Sequence, residues 1–246
     1  MENIILVNLF QTIMEGVERL KQEAGVAACN FIKDGMKLGL GTGSTVRYTI
    51  IEIGRRISEE GLNVVGVPTS EDTRKLAEQL GIPLVNLSET EGLDLVIDGA
   101  DEFDSNFALI KGGGGALLQE KIVAESGKVM VVIVDDSKVV TSLGRFPLPI
   151  EIIKFGYEFT RKMVLKEIEN MGYSDISFDW RKDGKKFFLT DEGHYILDLK
   201  LNHIKNPALT HEKIKGVTGV VETGLFINIA NKVIVGDEEG NLMEKE

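Results

Sequence analysis

Met36-Lys37-Leu38-Gly39-Leu40-Gly41-Thr42-Gly43-Ser44-Thr45 reads as three elements in ten residues. Apolar side chains alternate through Leu40 as in a strand, Gly41-Thr42-Gly43 forms a tight turn, and Ser44 opens a helix that the spacing carries to about Ser58. Upstream, residues 8 to 33 read mainly as helix, with Leu9, Ile13, Val17, Leu20, Ala24, Ala27, Ala28 and Phe31 tracing an apolar stripe that Gly35 ends. Downstream, Val64 to Val67 repeats the strand signal and a helix follows over 70–80. Leu84-Val85, Leu95-Val96-Ile97 and Met130 to Val134 supply further short apolar strands. Strands alternating with helices specify an α/β class with a parallel sheet covered by helices.

After Leu143-Gly144-Arg145-Phe146-Pro147 the pattern changes. The spacing predicts a strand over 149–154, a helix over 157–171, strands near 175–179 and 186–200, a helix over 208–215 and a strand over 219–222. Asp183-Gly184 fits the tip of a hairpin between the middle strands. This β-α-β-β-α-β order describes a smaller α+β (ferredoxin-like) domain over 148–222, inserted into a Rossmann-like parallel-sheet domain of 1–147 with 223–246. Lys232-Val233-Ile234-Val235 returns a last strand to the larger domain, and two lobes create a cleft.

The 246 residues are 43% hydrophobic, enough for a proper core, and carry a formal net charge of -11. That charge argues against a general nucleic-acid or anionic-membrane surface while permitting a local basic pocket for a small anion. Apolar runs such as Val129 to Val134 are strand-sized, far short of a membrane span. The opening residues lack the basic start and cleavage pattern of a secretory signal, so the expected location is cytoplasmic. Cys29 is the only cysteine, which excludes an intrachain disulfide and a multi-cysteine zinc site, and it reads as a packed small apolar residue. His194, His203 and His211 lack metal-ligand spacing and read as surface or rim residues.

The chemistry is concentrated in Asp98-Gly99-Ala100-Asp101-Glu102, Lys111-Gly112-Gly113-Gly114-Gly115 and Glu120-Lys121. Gly39 to Thr45 combines glycines, hydroxyls and a helix start, as a phosphate cradle does, although a purely structural turn fits the same pattern. It is not a dinucleotide fingerprint, because Val67-Pro68-Thr69-Ser70 stands where the ribose-binding acid belongs, and it lacks the Gly-Lys-Ser/Thr ending of a P-loop. Asp98 and Asp101 follow a strand at the sheet edge where ligands bind, but Asp beside Gly also serves turns. Glu102 reads as outward and structural. Lys111 before four glycines fits close approach of backbone amides to a ligand, with a plain mobile loop as the alternative. A helical Glu120 fits either proton transfer or a solvent-facing position. Lys138, after the next apolar strand, and Lys21, on the first helix, fit an anion contact or an ordinary solvated lysine.

Taken together these motifs resemble ribose-5-phosphate isomerase of the A type, over nearly all residues from about Lys21 onward. The likeness rests on Gly39 to Thr45, Asp98 to Glu102, Lys111 to Gly114 and Glu120-Lys121, with support from Asp136-Ser137-Lys138, Pro147 to Glu151 and Gly219 to Phe226. Two departures stand out: Gln119 where the family often has Arg before its glutamate, and Phe103 in place of a small aliphatic residue. The first dozen residues extend beyond the family's usual start.

The resemblance implies reversible conversion of D-ribose 5-phosphate to D-ribulose 5-phosphate through an enediol or enediolate, in the non-oxidative pentose phosphate pathway. It implies Glu120 as the general base, with Asp98, Asp101 and Lys111 as further catalytic groups. Lys21, Thr42, Gly43, Ser44, Thr45, Asp98, Gly99, Ala100, Asp101, Lys111, Gly112, Gly113, Gly114 and Lys138 would bind substrate. It implies no cofactor or metal, no nucleic-acid or membrane partner, and a homodimer, with a tetramer as the alternative. Two other classes fit the bare pattern: a transferase or lactonase with a glutamate nucleophile, and a sugar-phosphate sensor without turnover.

Overall fold

The structure is a computed structural model that describes residues 16–174, 176–236 and 242–244. Helix α1 covers 16–28, so Leu9 and Ile13 of the predicted stripe lie outside the described residues. Its end is a one-turn 3-10 segment at Cys29–Phe31, short of Gly35. Strand β1 (Lys37–Leu40) leads into helix α2 (Ser44–Glu60), which ends at the left-handed Gly61. Strand β2 (Val65–Pro68) precedes helix α3 (Glu71–Gln79), capped by Ser70, whose side chain accepts from the Thr73 amide. Strand β3 (Leu95–Gly99) follows, then the short β4 (Glu102–Asp104) and β5 (Leu109–Ile110), helix α4 (Leu117–Glu125), β6 (Met130–Asp135) and β7 (Val139–Val140).

The smaller lobe is β8 (Leu148–Ile152), α5 (Tyr157–Asn170), β9 (Ser177–Trp180), the hairpin β10 (Lys182–Asp183) and β11 (Lys186–Phe187), β12 (Tyr195–Lys200), α6 (Pro207–Lys215) and β13 (Val220–Thr223). Strands β14 (Leu225–Phe226), β15 (Lys232–Gly236) and β16 (Leu242–Glu244) complete the chain. The main sheet has the order β16-β15-β6-β3-β1-β2; its last five strands run parallel and β16 is antiparallel to β15. The smaller lobe's sheet, β13-β8-β12-β9, is antiparallel throughout. The fold is therefore α/β, a Rossmann-like parallel sheet with an inserted ferredoxin-like α+β unit.

Two sequence expectations change. Leu84-Val85 makes only one bridge, Gly66 to Leu84, because the chain touches the sheet edge and leaves. The single strand expected over 186–200 is cut by a turn at Thr190 to Gly193, where Gly193 takes φ 78 and its amide donates to the Thr190 carbonyl. The hairpin tip at Asp183-Gly184 forms as expected, with Gly184 at φ 60. Among the described residues no helix is long and apolar enough to cross a membrane.

Period-2 patterning places the core on both faces of the main sheet. Leu38, Leu40, Ile97, Val131 and Ile133 face α1 and α2, meeting Ala24, Ala28, Val46 and Ile50. Val96, Val132 and Val134 face Val123 and Ala124 of α4, with Phe103 and Phe226. Strand order 2-1-3 means that the chain leaves β1 in one direction and returns on its other side, which opens a crevice at the carboxyl ends of β1 and β3. Gly41 and Asp98 meet in that crevice: a Cβ on Gly41 would lie 2.2 Å from Asp98 Oδ1 and 2.6 Å from its Cα. Backbone and a fully buried carboxylate leave no room to yield. Gly41→Ala is expected to destabilise the protein by about 3 kcal/mol or more. Gly16→Ala, built into open space, should stay within about 1 kcal/mol of the parent. Urea unfolding of the two variants checks the difference.

Candidate active site

The carboxyl end of β1 turns sharply. Gly41 N–H donates to the Ile97 carbonyl (3.0 Å) and Thr42 N–H to Asp98 Oδ1 (3.0 Å). The Thr42 hydroxyl points onto the start of α3, 2.8 Å from both the Thr69 and Ser70 hydroxyls. Gly43, at φ 126, then launches α2. The first turn of α2 leaves its amides open, a setting that favours an anion. Lys21 from α1 and Lys138 after β6 line the same cavity, as do Thr42, Gly43, Ser44 and Thr45. Lys21 also pairs with Glu18 at 2.8 Å.

Asp98 ends β3. It is wholly buried; Oδ1 accepts from the amides of Thr42 and Gly99, and Oδ2 lies 3.0 Å from Lys111 Nζ. Lys111 Nζ also donates to the Gly99 carbonyl (2.6 Å) and to Glu120 Oε1 (3.0 Å). Glu120 stands in the first turn of α4, only 4% exposed, and its Oε2 has no hydrogen-bond partner among the described residues. The next residue, Lys121, anchors that helix: its Nζ donates to Glu222 Oε1 (2.8 Å) and the Thr223 carbonyl (2.7 Å).

Of the glycines after Lys111, Gly112 and Gly115 are buried and Gly113 and Gly114 exposed, and close neighbours leave no room for a side chain at Gly113 or Gly115. A Cβ on Gly113 would sit 2.5 Å from Asp101 Oδ1, and one on Gly115 would sit 2.4 Å from the Phe188 ring. Gly113 N–H donates to Asp101 Oδ2 at 2.7 Å. Arg181, from the smaller lobe, donates to the carbonyls of Gly112 (2.6 Å) and Gly113 (3.1 Å).

A cavity of about 360 Å³ collects nearly all the residues singled out in the sequence: Lys21, Thr42 to Thr45, Gly99, Ala100, Asp101, Lys111 to Gly114, Glu120 and Lys138. Asp98 is the exception. It lies behind Lys111 rather than on the cavity wall, because its oxygens are taken up by two amides and the ammonium. Glu102 is corrected as well: it is 1% exposed, not outward, and accepts from the amides of Gly144 (2.7 Å) and Phe146 (2.6 Å). These donors lie some forty residues away, beyond any local pattern. Asp135, Asp136 and Ser137, which the sequence places with Lys138 at the ligand edge after an apolar strand, line the cavity as well, whereas Arg181 escaped sequence reasoning.

Burial raises the Glu120 carboxyl to about 7; Lys111 opposes the shift, while the charge of Asp98 adds to it. Burial pushes Asp98 upward too, against Lys111 and the amides of Thr42 and Gly99. Burial works against the Lys111 charge, but the two carboxylates outweigh it and hold the ammonium above its usual range. The folded Glu120 therefore keeps its proton to about pH 7, while the unfolded one loses it near 4.5. Its ionisation costs folding free energy as pH rises through that window.

A sequence profile of the family described as ribose 5-phosphate isomerase A (phosphoriboisomerase A) matches residues 65–240. A curated relative named ribose-5-phosphate isomerase A, from Bacillus mycoides, is 51% identical over 90% of this chain and 97% of its own length. The chain belongs to the ribose 5-phosphate isomerase A family. It is accordingly an isomerase. The solved ribose 5-phosphate isomerase A of Methanocaldococcus jannaschii covers 93% of this chain and 99% of its own, at 41% identity and a TM-score of 0.84. A D-ribose-5-phosphate isomerase solved in complex with phospho-erythronic acid is 36% identical, with a TM-score of 0.86 over 93% of this chain and 99% of its own.

In this isomerase, removal of the central cation should be felt first as instability. Lys111→Met leaves two buried carboxylates unpaired and is expected to cost about 3–5 kcal/mol at pH 8. The loss should shrink toward pH 5, because the carboxyl groups of the variant then fold protonated and neutral. Denaturant midpoints of parent and variant at the two pH values check the sign.

Proposed function

We propose that the chain interconverts D-ribose 5-phosphate and D-ribulose 5-phosphate, the aldose and ketose of the non-oxidative pentose phosphate pathway, with Glu120 as the proton carrier. The observation that carries this reading is the buried Glu120 carboxylate on the cavity wall, with one oxygen on Lys111 and the other unpartnered. A base that must take and return a carbon-bound proton needs a free oxygen and a pKa near the working pH. Glu120 offers both.

In the open-chain aldose, Glu120 takes the C2 proton as the C1 carbonyl electrons move onto O1, giving an enediolate. Returning that proton to C1 while O2 loses its own and O1 gains one completes the ketose. Electrons and protons balance within the substrate and these side chains, so the shift calls for no redox cofactor. Lys111, steadied from behind by Asp98, faces the growing oxygen charge, and the amides of the glycine loop add to its field. Asp101, on the wall, takes the sugar hydroxyls and the oxygen-to-oxygen proton transfer. Asp98 then contributes to catalysis through Lys111 rather than by touching sugar. The phosphate rests on Thr42, Gly43, Ser44 and Thr45, with Lys21 and Lys138 beside it, so that binding energy remote from the reacting carbons fixes their position.

The reading includes assembly of two copies, or of four. Phe155 and Phe159, 90% and 69% exposed on the smaller lobe, support an interface there. A phosphorylated sugar does not cross a bilayer unaided, which favours the cytoplasm as the compartment. The reading is tested by ribulose 5-phosphate formation with chelator-treated protein. Glu120→Gln, shown to be folded, should lose about 10³-fold in kcat. In the parent, kcat/KM should rise with pH through about 7, as Glu120 ionises. An active Glu120→Gln variant, or a parent with no turnover, would remove the assignment.

A further inference from the structure

Arg181 directly follows β9, and its backbone is paired to both neighbours: its amide donates to the Ile196 carbonyl and its carbonyl accepts from Phe188. Its side chain is gripped on one edge by Asp198 of β12, with Nε to Oδ2 at 3.0 Å and Nη2 to Oδ1 at 2.5 Å. On the other edge Nη1 donates to the carbonyls of Gly112 and Gly113 at 2.6 and 3.1 Å. Both partners of this ion pair are largely buried, with 14% and 17% of their side chains exposed. A planar guanidinium held in a carboxylate fork is a rigid donor, which a lysine cannot imitate.

In a trans peptide the carbonyl of one residue and the amide of the next point in opposite directions. Arg181 holds the carbonyls of Gly112 and Gly113 and thereby turns the amides of Gly113 and Gly114 to the other side of the loop. There the Gly113 amide meets Asp101 at 2.7 Å, and Asp101 lines the cavity. Glycine residues have no side chain to fix the orientation of their peptide planes, so the orientation has to come from outside.

We propose that Arg181, locked by Asp198, is a positioning residue for the isomerisation: it fixes the peptide planes that follow Gly112 and Gly113, so that the Gly113 amide holds Asp101 on the cavity wall and the Gly114 amide is turned to the same side. The inference rests on the isomerase reading of that cavity. It assigns to the smaller lobe a direct part in aligning the site, at a residue that itself stands behind the loop.

The test compares Arg181→Ala, Arg181→Lys and the parent in steady-state turnover of ribose 5-phosphate. A misaligned loop should lower kcat about 10²-fold in Arg181→Ala, with a much smaller change in KM. Arg181→Lys keeps the charge but not the fork and should remain at least about tenfold down in kcat. Added guanidinium ion at non-denaturing concentration should restore part of the Ala variant's kcat and none of the Lys variant's. The amide nitrogen shifts of Gly113 and Gly114 should move in Arg181→Lys without turnover being involved, which covers the case of an Ala variant that fails to fold. Parental kcat in Arg181→Lys together with unmoved Gly113 and Gly114 shifts would overturn the inference while leaving the isomerase reading intact. An inactive parent would instead overturn that reading.

Discussion

Lys111 is buried to 2% exposure between two buried carboxylates, Asp98 and Glu120. Three charges this far from water hold together only when each has its partners within hydrogen-bonding reach, since an isolated buried ion costs several kcal/mol. The surrounding fold supplies those partners. Strand β3 delivers Asp98 and the Gly99 carbonyl from one edge, and α4 delivers Glu120 from another. The β1 turn adds the Thr42 amide, which helps keep Asp98 charged. The arrangement is also asymmetric. Neither Asp98 Oδ2 nor Glu120 Oε2 accepts a hydrogen bond among the described residues, but Asp98 Oδ2 lies 3.0 Å from the Lys111 ammonium in an ion pair, whereas Glu120 meets that ammonium through Oε1 and leaves Oε2 facing neither a donor nor a cation.

The same demand explains where glycine is obligatory. Gly41 lets Asp98 pass beneath the β1 turn, and Gly224 lets the chain return beside Lys111, where a Cβ would meet the Lys111 carbonyl oxygen at 2.3 Å. Gly113 gives Asp101 access to the loop backbone. These residues provide close approach, and the cavity is what the close approaches leave open. The smaller lobe braces the site from the far side, through Arg181 on the glycine loop and through Gln119 to Glu192 at 2.8 Å. The latter contact stands beside Glu120, at the position where the sequence departs from the family's usual arginine.

Much of this was legible in the sequence because it is written locally. Short apolar strands at β1, β3 and β6, alternating with helices, identify a parallel sheet, and Gly-Thr-Gly-Ser identifies a strand-to-helix turn. Clustering of Asp98, Asp101, Lys111 and Glu120 around glycines marks the chemistry within a short stretch of chain. What escaped depends on partners distant along the chain. Glu102 looks like a surface acid until the amides of Gly144 and Phe146 close over it. Arg181 sits in an ordinary charged stretch, and its targets are main-chain carbonyls 69 and 68 residues earlier, which no side-chain pattern records. Asp98 and Asp101 carry the same chemical label, and only packing shows that one stands behind Lys111 and the other on the cavity wall.

The central claim is that burial beside Lys111 and Asp98 tunes the Glu120 carboxyl for proton transfer near neutral pH. The most direct measurement is a carbon-13 NMR titration of that carboxyl in the ligand-free parent, assigned by its absence from Glu120→Gln. The account predicts a midpoint near 7. A midpoint near the ordinary 4.5 would contradict it, because the site would then hold a permanently ionised glutamate with no tuning by its surroundings.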